Sequence, residues 1–386
     1  MRILIAPNAF KHSLDARAAA DAIALGLQRS RLECQCQCFP VGDGGDGTAA
    51  LLMRHFSGRR VAAVARDPLG RTVTAQLGVV DAGGVAVIEL AEASGLRLLQ
   101  PSELDPLRAN SYGTGELIRA ALDQGVRHII LAVGGSASID GGAGLLQALG
   151  VRLLDSGGHP LPAEPGAWAD LQSLDLSGLD PRATACRFTA LCDVENAILG
   201  AGGAAPVFGP QKGASPAVVE RLQGLLSRWC QVLLRQTGRH VADLPRGGAA
   251  GGVAAGLHAV LNADVVSGID YFLDTTDFDR ALQTAQLVIT GEGCIDAQTM
   301  QGKAPFGVAQ RARARGVRVL ALAGQVPAHA DARLSECFEV LLPIGRGPGA
   351  LDGALARTRE DLERTACQLG NALNAGAEAG AGRLPS

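Results

Sequence analysis

The chain has 386 residues, which at roughly 150 residues per domain leaves room for two or three domains. Hydrophobic residues make up 47 % and the net charge is only -3, from 35 Lys+Arg against 38 Asp+Glu. That balance excludes a strongly basic nucleic-acid binder and a disordered chain. Glycine is abundant (51 residues) and aromatics are scarce at 3 %, so close backbone packing and glycine-built loops are expected.

In chain order, RILIAP reads as a short buried strand. It is too short for a secretory leader and runs straight into Lys11, His12, Asp15 and Arg17. No stretch has the 18 or so apolar residues of a spanning helix, so a cytoplasmic protein with no membrane partner is expected. SLDARAAADAIALGLQRS has helical periodicity with Ser13 as its N-cap, ECQCQCFPV is a second strand, and TAALLMRHF a second helix. The nine cysteines show no disulfide or zinc spacing. Cys34, Cys36 and Cys38 would share one strand face; a three-thiolate metal site is conceivable there, and small buried hydrophobes are the plainer reading.

From Arg59 to Leu90 the pattern changes to strands joined by Pro-Leu-Gly and Ala-Gly-Gly turns, a β-meander. A helix (GTGELIRAALDQG), a strand (VRHIILAV), a Gly-rich loop and another helix (AGLLQALG) follow. Residues 152–185 are the least readable. FTALCDV is a strand and PAVVERLQGLLSRWCQVLLRQTG a long helix. After the small-residue run GGAAGGVAAGLHAVL come three apolar strands, AQLVITG, VRVLALAG and FEVLLPI, with a helix containing VAQRARARG between the first two. Continuous apolar strands suit a parallel sheet covered on both faces. AGAEAGAGRLPS reads as a frayed tail. The expected architecture is α/β: a doubly wound domain from residues 1–57 and 265–386, with a mixed α/β domain (58–264) inserted. A cleft between them is the default ligand site.

The chemistry gathers in loops that follow apolar strands and combine glycine with acids. Gly42-Asp43-Gly44-Gly45-Asp46-Gly47 matches G-x-G-x-x-G, with Asp67 at the distance of a ribose contact. An NAD-dependent dehydrogenase of a small hydroxy acid is therefore one alternative. Two carboxylates beside a pyrophosphate repel it unless a metal intervenes, so a magnesium-phosphate site fits Asp43 and Asp46 better. The loop Gly134-Gly135-Ser136-Ala137-Ser138-Ile139-Asp140-Gly141 leads into a helix and forms an anion cradle of N–H groups. Ser136 and Ser138 add donors, and Asp140 can hold a metal or a substrate hydroxyl. A third loop carries Glu292 and Asp296 after AQLVI, then Lys303; spacing excludes a Walker A loop.

Smaller signals complete the set. Asp193 and Asn196 follow FTALC, Gln211 and Lys212 sit in a Gly-Pro turn, and Asn8, Lys11 and Ser13 follow the first strand. Ser111 and Thr114 look like ordinary capping residues, and no histidine lies in a polar cluster. Acid-and-glycine loops with Lys11, Lys212 and Lys303 suit phosphoryl transfer with a divalent metal, a reaction that depends on positioning and charge neutralisation.

At these residues the sequence resembles the type-1 glycerate kinases. The likeness runs through IAPNAFKHSL, VGDGGDGT, DPLGR, SYGTGELI, GGSASIDGGAGLLQALG, LCDVEN, FGPQKGA, AGGVAAGL, TGEGCIDAQT, GK and ALAG, nearly the whole chain. The resemblance implies ATP-dependent phosphorylation of D-glycerate, at the 2-hydroxyl, with Mg2+, on a Rossmann-like domain interrupted by a second domain. Asn8 stands where Asp is usual and Asp46 where Glu is usual. Ser138-Ile139 replaces Thr-Asn and Cys294 replaces Arg, so Ile139 loses an amide and Cys294 a charge; a related hydroxy acid, or a non-catalytic nucleotide-binding regulator, stays open. Under this reading Asp193 is the first candidate base and Asp140 the second. Lys11 and the 134–144 backbone face the glycerate carboxylate. Asp43, Asp46, Glu292 and Asp296 supply magnesium ligands, and Lys303 or Lys212 offsets phosphoryl charge.

Overall fold

The computed structural model describes residues 1–80, 84–296, 299–329, 332–347 and 349–381. The chain divides into two compact units, Met1–Asp43 with Ile269–Ser386, and Gly44–Gly268.

The first unit holds a five-stranded sheet, all parallel, in the order Val340–Pro343, Arg318–Gln325, Leu287–Cys294, Arg2–Pro7, Gln35–Cys38. Numbered along the unit this is the order 2-1-3-4-5, one of the two common doubly wound orders. The central strands are mostly apolar because both faces are covered, while the edge strand Gln35–Cys38 is largely exposed. Ile3, Ile5, Leu287, Ile289, Leu320 and Leu322 face helices Ala16–Gln28 and Thr358–Ala381 in one core. The alternate residues Leu4, Val288 and Val319 point the other way, where helix Ala304–Arg313 lies against the central strands. The two helices of the first face cross so closely that a Cβ on Gly26 would stand 2.3 Å from the Glu363 carbonyl oxygen.

The second unit holds a six-stranded mixed sheet, ordered Asp264–Ser267, Arg187–Cys192, His128–Ala132, Val85–Glu89, Thr72–Val80, Arg59–Arg66. The first four strands are parallel; the meander adds the last two antiparallel. One large core fills this unit and includes both tryptophans, Trp168 and Trp229, with ring centroids 5.6 Å apart. Helix Pro216–Thr237 is cut by its own sequence. Ser215 accepts the Val218 N–H at the start, and Gly238 ends it at φ 72°.

Several expectations change. The first helix is Ala16–Gln28 and its N-cap is Asp15, which accepts from Ala18 N–H; Ser13 sits in the preceding turn. Asp and Ser cap equally well, so the choice fell to where the chain leaves the turn. The run GGAAGGVAAGLHAVL contains helix Ala249–Leu261, whose first turn is interrupted by positive φ at Ala250, Gly251 and Gly252. Residues 152–185 form a small three-stranded sheet, Arg152–Leu154, Pro160–Leu161 and Ser173–Asp175, with short helical turns. The C-terminal segment is helical through Ala381 rather than frayed; residues 382–386 lie outside the described ones. Most of the Ala-Gly-Gly turn, at 81–83, lies outside them too.

Candidate active site

In the first unit, the strands' carboxyl ends bring together residues far apart in sequence. Pro7 lies in register with Gly291, so Asn8, which begins a loop, stands beside Glu292 near the end of the neighbouring strand. Asn8 donates from Nδ2 to Asp43 Oδ2 at 2.8 Å, and the same oxygen accepts the Ala304 N–H at 3.3 Å. Ala304 opens helix Ala304–Arg313, so Asp43 sits at a helix N-terminus, where a carboxylate is favoured. Glu292 accepts from Thr299 Oγ1 at 2.8 Å, and Asp296 accepts the Thr299 N–H at 3.3 Å. Burial pushes the Glu292 carboxyl up to about 7, with Asp43 adding to the rise while Lys303, Thr299 and Lys11 oppose it. Asn8 and Asp43 are thus joined by a hydrogen bond, Glu292 and Asp296 share Thr299, and Lys303 and Lys11 act on Glu292. Ser13 points elsewhere, to the Leu355 carbonyl at 2.6 Å.

In the second unit, Glu89, Ala132, Cys192 and Ser267 end the four parallel strands at one edge, Glu89 in register with Ala132 and Cys192 with Ser267. The 134–144 loop therefore leaves the same edge as Asp193. Asp140 is fully buried and spent inside this loop. It accepts from Ser111 Oγ (2.6 Å), Ser111 N–H (2.8 Å), Ser138 Oγ (3.0 Å), Gly144 N–H (3.1 Å) and Gly142 N–H (3.3 Å). It is a structural anchor, not a base open to substrate. Lys212 is also buried. Its Nζ donates to Ser136 Oγ at 2.7 Å and to the Ser138 carbonyl at 2.8 Å, and burial pushes it down to about 7 against the pull of Asp140. Asn196 is tied to the Gly202 carbonyl, and Gln211 is exposed.

Gly134 donates to the Gly44 carbonyl at 2.8 Å, and its missing Cβ would stand 2.5 Å from Gly45 Cα. Two glycine loops thus meet backbone to backbone. Gly135, at φ 73°, lies beside Asp46. Asp46 raises the pKa of Glu89, a buried carboxyl pushed up to about 6 mainly by burial.

The dinucleotide fingerprint does not form. The helix after it, Thr48–His55, packs on the meander strands, and the next strand is antiparallel, so no strand–helix–strand unit exists. Asp67 instead caps its own hairpin, accepting the N–H groups of Leu69 and Arg71. Among the described residues no three His, Cys, Asp or Glu side chains are gathered as a ready metal cage. The three strand thiols follow suit: Cys34 and Cys36 lie 3.8 Å apart, and all nine cysteines are free. No helix among the described residues is long and apolar enough to cross a membrane.

The sequence model of the glycerate kinase family matches residues 3–374. The chain belongs to the glycerate kinase family. It is 42 % identical to the glycerate kinase of Bacillus subtilis over 95 % of this chain and 96 % of that one. It is 38 % identical to the glycerate 2-kinase of Escherichia coli K12, covering 97 % and 99 %. A crystal structure assigned by name as a glycerate kinase 2 of Salmonella typhimurium LT2 superposes with a TM-score of 0.81 at 41 % identity, covering 98 % of this chain and 99 % of that one. This is a phosphotransferase family, and its members' mixed α/β fold is the one described above.

Two buried polar positions of this glycerate kinase family member were missed in sequence. Glu89 ends an apolar strand, the same signal that marked the other acids, but reading VAVIEL as part of a meander hid its parallel partner His128–Ala132. Ser111 looked like a helix cap. Its hydroxyl goes to Asp140 instead, and the cap makes no side-chain bond.

Proposed function

We propose that this chain transfers the γ-phosphoryl group of ATP to the 2-hydroxyl of D-glycerate, giving 2-phosphoglycerate and ADP. The observation that carries this reading is the full-length likeness to proteins named glycerate kinase, one of them a glycerate 2-kinase. We also read the parallel-sheet unit as a Rossmann-like parent into which the Gly44–Gly268 unit is inserted, since its strands come from both ends of the chain.

The reaction needs few covalent partners and much alignment. Asp193, just past a parallel strand, is the base that accepts the attacking hydroxyl's proton at a carboxylate oxygen. Asp140 is withdrawn from that role by its five hydrogen bonds. The backbone of the 134–144 loop receives the glycerate carboxylate. Lys303 offsets phosphoryl charge. Asp43 and Glu292 suit a hard cation: both are oxygen donors and both are buried, and burial holds the Glu292 carboxyl up at about 7 against the pull of Lys303 and Lys11. They would hold magnesium, with Asp296 close by; a divalent ion there would neutralise phosphate charge.

The test is a coupled ADP-release assay with D-glycerate, L-glycerate, glycolate and lactate, followed by enolase, which consumes only the 2-phospho product. ADP release with D-glycerate and a positive enolase step are expected. No ADP release would overturn the kinase reading, and release without an enolase signal would move the phosphoryl group to the other hydroxyl. A melting scan adds the cofactor: MgATP raises Tm by mass action and NADH does not.

A further inference from the structure

Lys212 is an unusual lysine. It ends the short turn Pro210–Lys212, and Gly213 follows at φ 93°, where a Cβ would meet the Leu104 carbonyl oxygen at 2.5 Å. The turn is thus fixed, and the side chain is driven inward until only 3 % of the residue is exposed. Its amine lies under the 134–144 loop, on Ser136 Oγ and the Ser138 carbonyl. Ser138 is held from both ends, its hydroxyl by Asp140 and its carbonyl by Lys212. Between the two serines, the Ala137 N–H goes to the Ser94 carbonyl. By contrast, the N–H of Ser136, a residue that keeps some exposure, makes no hydrogen bond among the described residues. A donor without a protein partner, in a segment pinned on every side, is what an anion site requires.

We propose that Lys212 is a positioning residue: it clamps the Ser136–Ser138 segment so that the Ser136 N–H is held ready for a substrate anion. That the anion is the glycerate carboxylate rests on the function proposed above. Lysine suits the task because a compact ammonium on a long stem reaches two acceptors from beneath, which the planar fork of arginine does not. An ammonium this enclosed contacts the loop and not the phosphates, which corrects its expected role as a phosphate ligand.

The experiment compares the wild-type chain with Lys212→Met, which keeps the buried volume and removes the donors. By hydrogen exchange, the amides of residues 134–144 should exchange about tenfold faster or more in the variant, as expected for losing hydrogen bonds from a charged donor. In the kinase assay the glycerate KM should rise about 10²-fold, while the ATP KM stays within about twofold. Ethylamine should restore part of the glycerate KM in Lys212→Ala and none in Lys212→Met, whose side chain fills the space. Ser136→Ala, which removes one of the two clamps, should move exchange and KM in the same direction by less. It serves as the second variant if Lys212→Met does not fold. Wild-type exchange in the loop of both variants overturns the proposal, as does an ATP KM that rises equally with that for glycerate. Wild-type protein that fails to phosphorylate glycerate removes the named anion, and the exchange measurement still decides the clamp.

Discussion

Asp140 and Asp193 are both aspartates in strand-end loops of one unit, and the proposed function gives them different duties. Asp140 has its oxygens filled by five donors. Asp140→Asn must turn an NH2 toward donors, so it should lower unfolding stability by about 3 kcal/mol or more, read from a denaturant midpoint. Asp193→Asn should cut kcat by about 10²–10⁴; near-normal kcat would take the base role from Asp193. Glu89 offers a pH test. Its folded pKa is about 6, above the ordinary 4.5, because burial comes first among its causes, Asp46 and Glu92 add to it, and the Ala49 N–H and Arg97 oppose it. The folded state therefore binds the extra proton between those values. This contribution to stability is full below 4.5 and is lost as pH rises through 6. Glu89→Gln keeps an acceptor for the Ala49 N–H and should gain up to about 2 kcal/mol over wild type at pH 8, with no gain at pH 4. A pH-independent difference would contradict this.

At the level of elements, helix Pro216–Thr237 reaches the site without contributing a polar loop. Trp229 donates from Nε1 to the Gly141 carbonyl at 3.0 Å, and a Cβ on Gly141 would stand 2.3 Å from that nitrogen. Trp229→Phe should keep most of the core area but leave a buried carbonyl unpaired, costing about 1–3 kcal/mol in the melting curve. The loop amides 134–144 should exchange faster as well; unchanged exchange would show that the helix braces only the core. The helix itself was legible, because its cap, its 3.6-residue period and its terminal glycine agree. So were the parallel strands of the first unit, whose apolar runs admit little else. Helix Ala249–Leu261 was hidden by glycines of low helix propensity, and tertiary contact overrides that propensity. The carbonyl of Gly251 accepts the Gly141 N–H, and a Cβ on Gly251 would meet the Ser138 carbonyl oxygen at 2.2 Å. The acids and lysines were legible as types at strand ends. What each one does was not, because the partners that decide it, such as Ser111 for Asp140 or Ser136 for Lys212, come from elsewhere in the chain and have no local signature.

For the whole chain, the decisive feature is that the two units are built from different kinds of contact. In the first, Arg2–Pro7 is hydrogen-bonded between Gln35–Cys38 and Leu287–Cys294, so its central pairing joins residues such as Ile5 and Ile289. Helices Ala16–Gln28 and Thr358–Ala381 pack together across a similar span. This unit has no core until both chain ends are present, and the closure entropy must be met before the sheet stabilises anything. The second unit draws its six-stranded sheet and its large core from one continuous stretch. A fragment of residues 44–268 should therefore fold by itself, with cooperative melting and protected amides in His128–Ala132 and Arg187–Cys192. A fragment of residues 1–268 should show that same protection while Arg2–Pro7 exchanges as unfolded chain. Supplying residues 269–386 in trans should restore protection to Arg2–Pro7. If Arg2–Pro7 were protected in the 1–268 fragment without that addition, the strand would be held by something other than its parallel neighbours, and the order of assembly argued from the topology would be wrong.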